Sequence, residues 1–384
     1  MMSYLFPTYK KKEIQLTQGK GAFLYSQDGK RYLDFMSGIA VTNLGHNHPS
    51  IVQALHKQAD LLWHGSNLFH YEVQEQAAKQ LVEKSNCDAV FFCNSGAEAN
   101  EAAIKLARKA TGKSHIISMK QSFHGRTLGS MAATGQAAVH EGYGPLLSSF
   151  TYVEFNNVDA LEAAVQEDTA AILIEVVQGE GGVHVINEMY VEAINTLKQK
   201  HNLLLIIDEI QTGIGRTGTF FAYEHYRLDP DIVTVAKGLG NGFPVGAMLG
   251  KKALIQSFQT GSHGSTFGGN PLGMAIVKAV LDVYEPSFLA TIRTQSNEWV
   301  QELKQELSTC SIVKDIRGSG FLIGLETTVE AQQVIHRCEE KGLLLLPAGT
   351  HVTRLLPPLT LTRQEWEEAQ TIIKTVLTDI EQNG

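Results

Sequence analysis

Between residues 88 and 250 the chain alternates short apolar runs with segments whose apolar positions recur every three or four residues. The runs are DAVFFCNS (88–95), HIISM (115–119), AILIEVV (171–177), LLLIIDE (203–209), IVTVAK (232–237) and GAMLG (246–250). Several are apolar at every position, the pattern of strands covered on both faces. Ala99, Ala103, Leu106 and Ala110 mark one side of a helix over 97–110, and Tyr190, Ile194 and Leu197 mark another over 188–202. Such alternation predicts a mostly parallel α/β sheet. Ligands of such sheets sit at the carboxyl ends of the strands.

Beyond residue 270 the pattern changes. A long helical stretch (about 271–308) leads into SIVKDIRGSGFLIGLE, which reads as two strands joined at a glycine bend. A helix over 329–341 follows, then LLLLPAG, HVTRLLPP and a last helix from Thr362, where Thr362 and Glu365 fit a capping box. This predicts an α+β module to which the first 45 residues contribute. The expected division is a large unit over 46–270 and a smaller one built from 1–45 with 271–384. No internal repeat or low-complexity linker interrupts it.

Composition narrows the class without choosing the chemistry. The 384 residues are 43% hydrophobic and 19% charged, an ordinary globular mixture. Lys+Arg 32 against Asp+Glu 40 gives a net charge of −8, and no basic block is present, which argues against nucleic acid or anionic membrane as the main partner. No apolar run approaches the roughly 20 residues a membrane helix needs. The start, MMSYLFPTYKKKEIQ, lacks a signal-peptide pattern, so a cytoplasmic location is expected. The four cysteines have no C-x-x-C spacing and are expected to be inert thiols. Glycine, at 35 residues, exceeds the usual share of about 7%.

Two glycine patterns imitate nucleotide loops and fail on context. Residues 213–218, GIGRTG, match G-x-G-x-x-G, but TFFAYEHYRLDPD follows in place of a long helix. ARKATGKS (107–114) ends like a phosphate loop but runs from helix into strand, the reverse order, so Gly112 is expected to stop the helix.

What ends each strand is more informative. Ser95-Gly96-Ala97-Glu98 opens a helix: Ser95 and Glu98 fit a capping box, and the small residues leave N–H groups open to a phosphate. Asp208 ends LLLIIDE, where a buried carboxylate needs a cation or a donor; a metal ligand, a ring-nitrogen partner and a turn cap all fit. Lys237 ends IVTVAK, just before GLGNG (238–242). Burial there would lower its pKa and free the amine for Schiff-base chemistry, against the alternative of a lysine snorkelling to the surface. A phosphate-binding helix start, then the aspartate, then the lysine is the order that pyridoxal phosphate requires.

Seven longer runs carry a resemblance: GIAVTNLGHNHP (38–49), FFCNSGAEANEAAIKLARK (91–109), FHGRTLG (123–129), VQGEGGV (177–183), DEIQTGIGRTG (208–218), AKGLGNGFPVGAM (236–248) and HGSTFGGNP (263–271). With them the chain resembles, over essentially its whole length, the class III (ω-amino-acid) aminotransferases of fold type I. Within that family it looks like the N-acetylornithine group of arginine biosynthesis.

The resemblance implies an α/β fold, with a large, mostly parallel, seven-stranded-type sheet domain and a smaller α+β domain. It implies pyridoxal 5′-phosphate as cofactor and no metal. Lys237 is then the Schiff-base lysine and proton carrier, Asp208 the partner of the ring nitrogen, and Gln211 a neighbour of the ring hydroxyl. Ser95, Gly96 and Ala97 would hold the phosphate and Phe123 would stack on the ring. Thr266 would reach the phosphate from the other subunit of a homodimer, with Ser265 near substrate. Arg126 is implied for the donor's carboxylate and Arg354 for the α-carboxylate of glutamate or 2-oxoglutarate, with Glu180 covering Arg354 while the donor is bound. One departure is Val176, where many family members carry proline after the glutamate, so the turn before VQGEGG is less restrained.

The implied reaction moves the δ-amino group of N2-acetyl-L-ornithine to 2-oxoglutarate. Ornithine, 4-aminobutyrate, succinylornithine or succinyl-diaminopimelate are alternative donors within the family. An aminomutase or decarboxylase is a farther alternative and would not need Arg354 for a second keto acid; a regulatory module without turnover would not need Lys237. His46 and His48 make a poor metal pair, and His124 reads as structural.

Overall fold

Seven strands form the central sheet of the computed structural model, which describes residues 4–383. In spatial order they are Ala89–Cys93, Gly246–Gly250, Ile232–Val235, Leu204–Asp208, Thr169–Ile174, His115–Met119 and Phe150–Val153. Gly246–Gly250 runs antiparallel to both neighbours, and every other adjacent pair is parallel. The strands that read as unbroken apolar runs are buried at every position in His115–Met119, Thr169–Ile174, Ile232–Val235 and Gly246–Gly250. Phe150–Val153, at the sheet edge, is half-buried and has no such run to betray it.

Strand polarity gathers the chemistry. Cys93 leads to Ser95, Met119 to Phe123, Ile174 to Glu175 and Val235 to Lys237, all at the same edge as Asp208. The helix Gly96–Thr111 lays Ala99, Ala102, Ala103, Leu106 and Ala107 on the sheet, small enough for close approach. It stops at Gly112, whose φ of +70° lets its N–H bond to the Arg108 carbonyl, as expected from the sequence. At its start the Ser95 hydroxyl accepts the Glu98 N–H at 3.2 Å. The Glu98 carboxylate reaches one residue further back than a capping box predicts, because Asn94 offers it both a backbone N–H and a side-chain amide, each at 2.8 Å.

Two expected elements divide. The stretch 271–308 is two helices, Pro271–Leu281 and Pro286–Glu306, because Pro286 lacks the N–H that would continue the first and suits the start of the second. AILIEVV leaves the sheet after Ile174, where Glu175 turns its carboxylate to the Phe123 N–H at 3.1 Å. Val177–Gln178 then pairs with His184–Val185 as a separate hairpin.

Both chain ends build the smaller sheets. Leu16–Lys20, Phe23–Ser26 and Arg31–Asp34 are joined by Leu343–Leu344, while Val313–Ser319, Leu322–Thr327, Val352–Leu355 and Leu346–Pro347 form another four-stranded sheet. Trp366 ties these parts together, with ring centres 6.0 Å from Phe35, 5.7 Å from Trp299 and 6.1 Å from Phe321. Its helix, Arg363–Asn383, opens in a full capping box: Thr362 N–H to Glu365 at 2.7 Å and Glu365 N–H to the Thr362 hydroxyl at 3.3 Å. The thiols of Cys87, Cys93 and Cys338 are buried and free, and burial pushes each up to about 12. Among the described residues no helix is long and apolar enough to cross a membrane.

Candidate active site

A cavity of about 410 Å³ opens at the carboxyl edge of the central sheet. Lys237 forms part of its wall, although the strand it was expected to end stops at Val235. Lys237 instead opens a short 3-10 turn, Lys237–Leu239, at a φ of +45°. That region is strained for a lysine, so the surrounding structure imposes the conformation. Burial lowers its amine below the ordinary lysine range, with the nearby Glu180 carboxylate opposing that shift.

Asp208 lies on the cavity floor, 3% exposed. Its Oδ2 is 2.8 Å from both Asn100 Nδ2 and His124 Nδ1, and its Oδ1 accepts the Ile210 N–H at 3.0 Å. The Thr234 hydroxyl donates to Asn100 Oδ1 at 2.8 Å, which fixes the amide so that its nitrogen faces Asp208 and the His124 carbonyl. Sequence reasoning gave Asn100 and His124 no such task. The available signal for Asn100 was a polar residue on an alanine-rich helix face.

One wall suits an anion. The N–H groups of Gly96 and Ala97 lie in the first helical turn, where no intrahelical acceptor exists. A Cβ on Gly96 would sit 2.7 Å from Ile210 Cδ1, so glycine lets the helix start approach the turn after Asp208. Phe123 is half-buried, and the exposed Arg126 holds its guanidinium 5.7 Å from the Phe123 ring centre.

On the other side, Arg354 is buried. Its NH1 lies 2.9 Å from Glu180 Oε1 and donates to the Gly179 carbonyl and to Gln211 Oε1, each at 2.9 Å. Burial pushes the Glu180 carboxyl up, but the charge and hydrogen bond of Arg354 outweigh it and hold Glu180 below the usual range.

Ser95, Gly96, Ala97, Phe123, Arg126, Glu180, Asp208, Gln211 and Lys237 therefore share one cavity, and Arg354 joins it through Glu180 and Gln211. Ser265 accepts a 3.2 Å hydrogen bond from Asn94 at the cavity rim. Thr266 is exposed and lies outside the wall of its own chain's cavity. His46 pairs with Asp34 at 2.8 Å and His48 with Ser50 at 2.9 Å. The glycines at 213–218 form a turn around the buried Arg216, followed only by the short Ala222–His225 turn.

Burial pushes two further acids, Glu175 at the cavity wall and Glu209 behind Asp208, up to about 7. Glu209 accepts the Tyr223 N–H at 2.8 Å and the Thr212 hydroxyl at 2.6 Å. Between its ordinary 4.5 and about 7 the folded protein keeps this proton and the unfolded chain has lost it. Stability therefore falls with rising pH in that window, by at most about 1.4 kcal/mol per pH unit, and levels above it. Glu209→Gln has no proton to lose and can keep both contacts. Urea unfolding of the holoenzyme should show the variant gaining on wild type from about pH 5 to about pH 7, then a constant difference. A difference independent of pH would contradict this assignment.

The class-III aminotransferase family model matches residues 6–377. An acetylornithine aminotransferase of Halalkalibacterium halodurans is 58% identical over 377 residues, 98% of each chain. The ornithine aminotransferase of Toxoplasma gondii, in a structure with partial occupancy of PLP at its active site, superposes with a TM-score of 0.94 at 31% identity, covering 99% of this chain and 93% of that one. The N-acetylornithine aminotransferase of Stenotrophomonas maltophilia superposes with a TM-score of 0.85 at 34% identity, covering 97% of each chain.

Proposed function

Because the chain belongs to the class-III aminotransferases, we propose that it moves the δ-amino group of N2-acetyl-L-ornithine to 2-oxoglutarate, using pyridoxal 5′-phosphate. The products are N-acetyl-L-glutamate 5-semialdehyde and L-glutamate. On this reading residues 46–270 form the cofactor-holding unit, and 1–45 with 271–384 the smaller one that brings Arg354.

The donor set suits the cofactor. The N–H groups of Gly96 and Ala97, with the Ser95 hydroxyl, would receive its phosphate. Asp208, aimed by Asn100, His124 and the Ile210 N–H, would receive the ring N–H. Phe123 would cover one ring face, with Gln211 near the ring hydroxyl. When bound, pyridoxal phosphate supplies an aldehyde that captures amines and a protonated ring that withdraws electrons from the carbon bearing the nitrogen. Lys237 would hold the cofactor through its amine, and the same amine, when free, would move a proton at the donor's Cδ. Its lowered pKa keeps the free amine accessible for that work.

The observation that carries the reading is the Arg354–Glu180 pair beside Lys237. Arg354 can take the α-carboxylate of 2-oxoglutarate bidentately, and Glu180 hides that charge while the donor is bound. Arg126, exposed at the cavity mouth, would bind the donor's own carboxylate. The carboxylates in the wall are Glu175, Glu180 and Asp208, each already holding a donor. A free α-ammonium, as in ornithine, would find none uncommitted, which favours the acylated donor. The name of the relative that is 58% identical, an acetylornithine aminotransferase, points the same way.

Dimerisation is part of this proposal, with Thr266 completing the partner's phosphate site. Exposed apolar side chains Trp63, Leu68, Phe69 and Phe267 lie around that segment, where Asn67 bonds the Gly268 carbonyl at 2.8 Å. For the donor, the holoenzyme is mixed separately with N-acetylornithine, ornithine and 4-aminobutyrate, and conversion of the cofactor's absorption from its aldehyde-derived to its amine form is timed. N-Acetylornithine should convert it at least about tenfold faster than ornithine. Equal or faster conversion by ornithine would overturn the donor assignment.

A further inference from the structure

The sheet row that carries Arg354 holds a second arginine. Arg317 lies opposite Gly324, and Gly324 lies opposite Arg354, across three adjacent strands. Directly opposed residues share a face, so the two arginines stand on one side with only a glycine between them. A Cβ on Gly324 would sit 2.8 Å from Val183 Cβ, and the missing side chain leaves the slot that Val183 fills.

The arginines grip both ends of the segment before Val183. Arg354 NH1 donates to the Gly179 carbonyl at 2.9 Å, while Arg317 donates to the Gly182 carbonyl from Nε at 3.0 Å and from NH2 at 2.8 Å. Glu180 lies between these anchors. Arg317 is itself braced, its NH1 2.5 Å from Glu326 Oε2 and 3.1 Å from Asp315 Oδ2. Val183 is fully buried at a φ of +55°, strained for a β-branched residue, so contacts and not backbone preference impose the loop's shape.

We propose that Arg317 is the fixed end of a gate formed by Glu180: it holds the loop at Gly182 while the Gly179–Glu180 end leaves Arg354 and returns, and thereby sets how readily a dicarboxylate reaches Arg354. This rests on the reading that Glu180 covers Arg354 and yields it to 2-oxoglutarate. Arg317 touches no substrate and acts as a positioning residue. A dicarboxylate's apparent affinity is its intrinsic affinity reduced by the fraction of molecules with the gate open. The double hold at Gly182 removes freedom from the loop in advance, which favours the closed pair. Release of that end raises the open fraction.

Calorimetric titration of the holoenzyme with glutarate, a dicarboxylate without a reactive keto group, reads that fraction without turnover. Arg317→Lys keeps a cation for Glu326 and loses the two-pronged hold on Gly182. It should bind glutarate about fivefold or more tightly, with a similar rise in the KM for N-acetylornithine and little change in kcat. In a Glu180→Gln background the same substitution should leave glutarate affinity unchanged. If Arg317→Lys does not fold, Glu326→Gln weakens the brace, leaving Asp315, and should shift affinity in the same direction by a smaller factor. Arg354→Gln should nearly abolish glutarate binding. If it does not, the reading of Arg354 fails. If it does, and Arg317→Lys leaves affinity unchanged or has the same effect without Glu180, the gate proposal fails.

Discussion

A Lys237→Ala enzyme is expected to turn over about 10⁴-fold more slowly than wild type while still binding its cofactor. That factor corresponds to about 5.4 kcal/mol of lost transition-state stabilisation. Two contributions disappear together. On the proposed reading, the amine that would hold the cofactor is gone, and so is the group that would carry the proton at the donor's Cδ. The acids of the cavity wall are already engaged: Glu180 with Arg354, Glu175 with the Phe123 N–H, and Asp208 with Asn100, His124 and the Ile210 N–H. The loss should fall in kcat and leave the dicarboxylate sites intact. Borohydride treatment followed by peptide mass spectrometry should find the cofactor attached at Lys237 in wild type and nowhere in the variant. Covalent attachment in the variant, or a loss below about tenfold, would refute the role given to Lys237.

The second large effect is expected from Asp208→Asn, with kcat/KM down by about 10³-fold. The side chain meets donors on every side: Asn100 Nδ2 and His124 Nδ1 at Oδ2 and the Ile210 N–H at Oδ1. An amide has one acceptor oxygen and brings two donors of its own, so at least one N–H would face another. The same change removes the negative charge that would keep a cofactor ring nitrogen protonated. The cofactor affinity, read by fluorescence titration of the apo form, should weaken by at least about tenfold, equivalent to roughly 1.4 kcal/mol. A purely structural role would lower thermal stability and leave the affinity of the folded fraction unchanged.

Much of the fold was legible because its information is local. The strands His115–Met119 and Gly246–Gly250 coincide with their apolar runs, and Gly112 and the Thr362–Glu365 box cap their helices where those residues predict. Breaks were harder to see. Glu175 interrupts an apolar run only because Phe123, far away in sequence, offers it an N–H. The Pro286 break lies in a stretch whose apolar periodicity continues on both sides.

The site shows the same division. Lys237 and Asp208 stood out because a charged residue at the end of an apolar strand is costly without a partner. Asn100, His124, Glu175 and Arg317 did not, because their residue types are ordinary for a helix, a loop or an edge strand. Their importance lies in partners 108, 84, 52 and 135 residues away in the chain.

By itself the sequence determined the alternating α/β architecture, the glycine-rich loops and the two residues most exposed to electrostatic cost. Periodicity, capping and burial of charge act over a few residues and leave their record in residue type. Only the tertiary structure decided that Asn100 and His124 aim Asp208, that Lys237 sits in a strained turn and not on a strand, and that Arg317 and Arg354 flank Gly324. Those facts depend on sheet register and on which carbonyl meets which donor, and residue type does not encode distance across a fold.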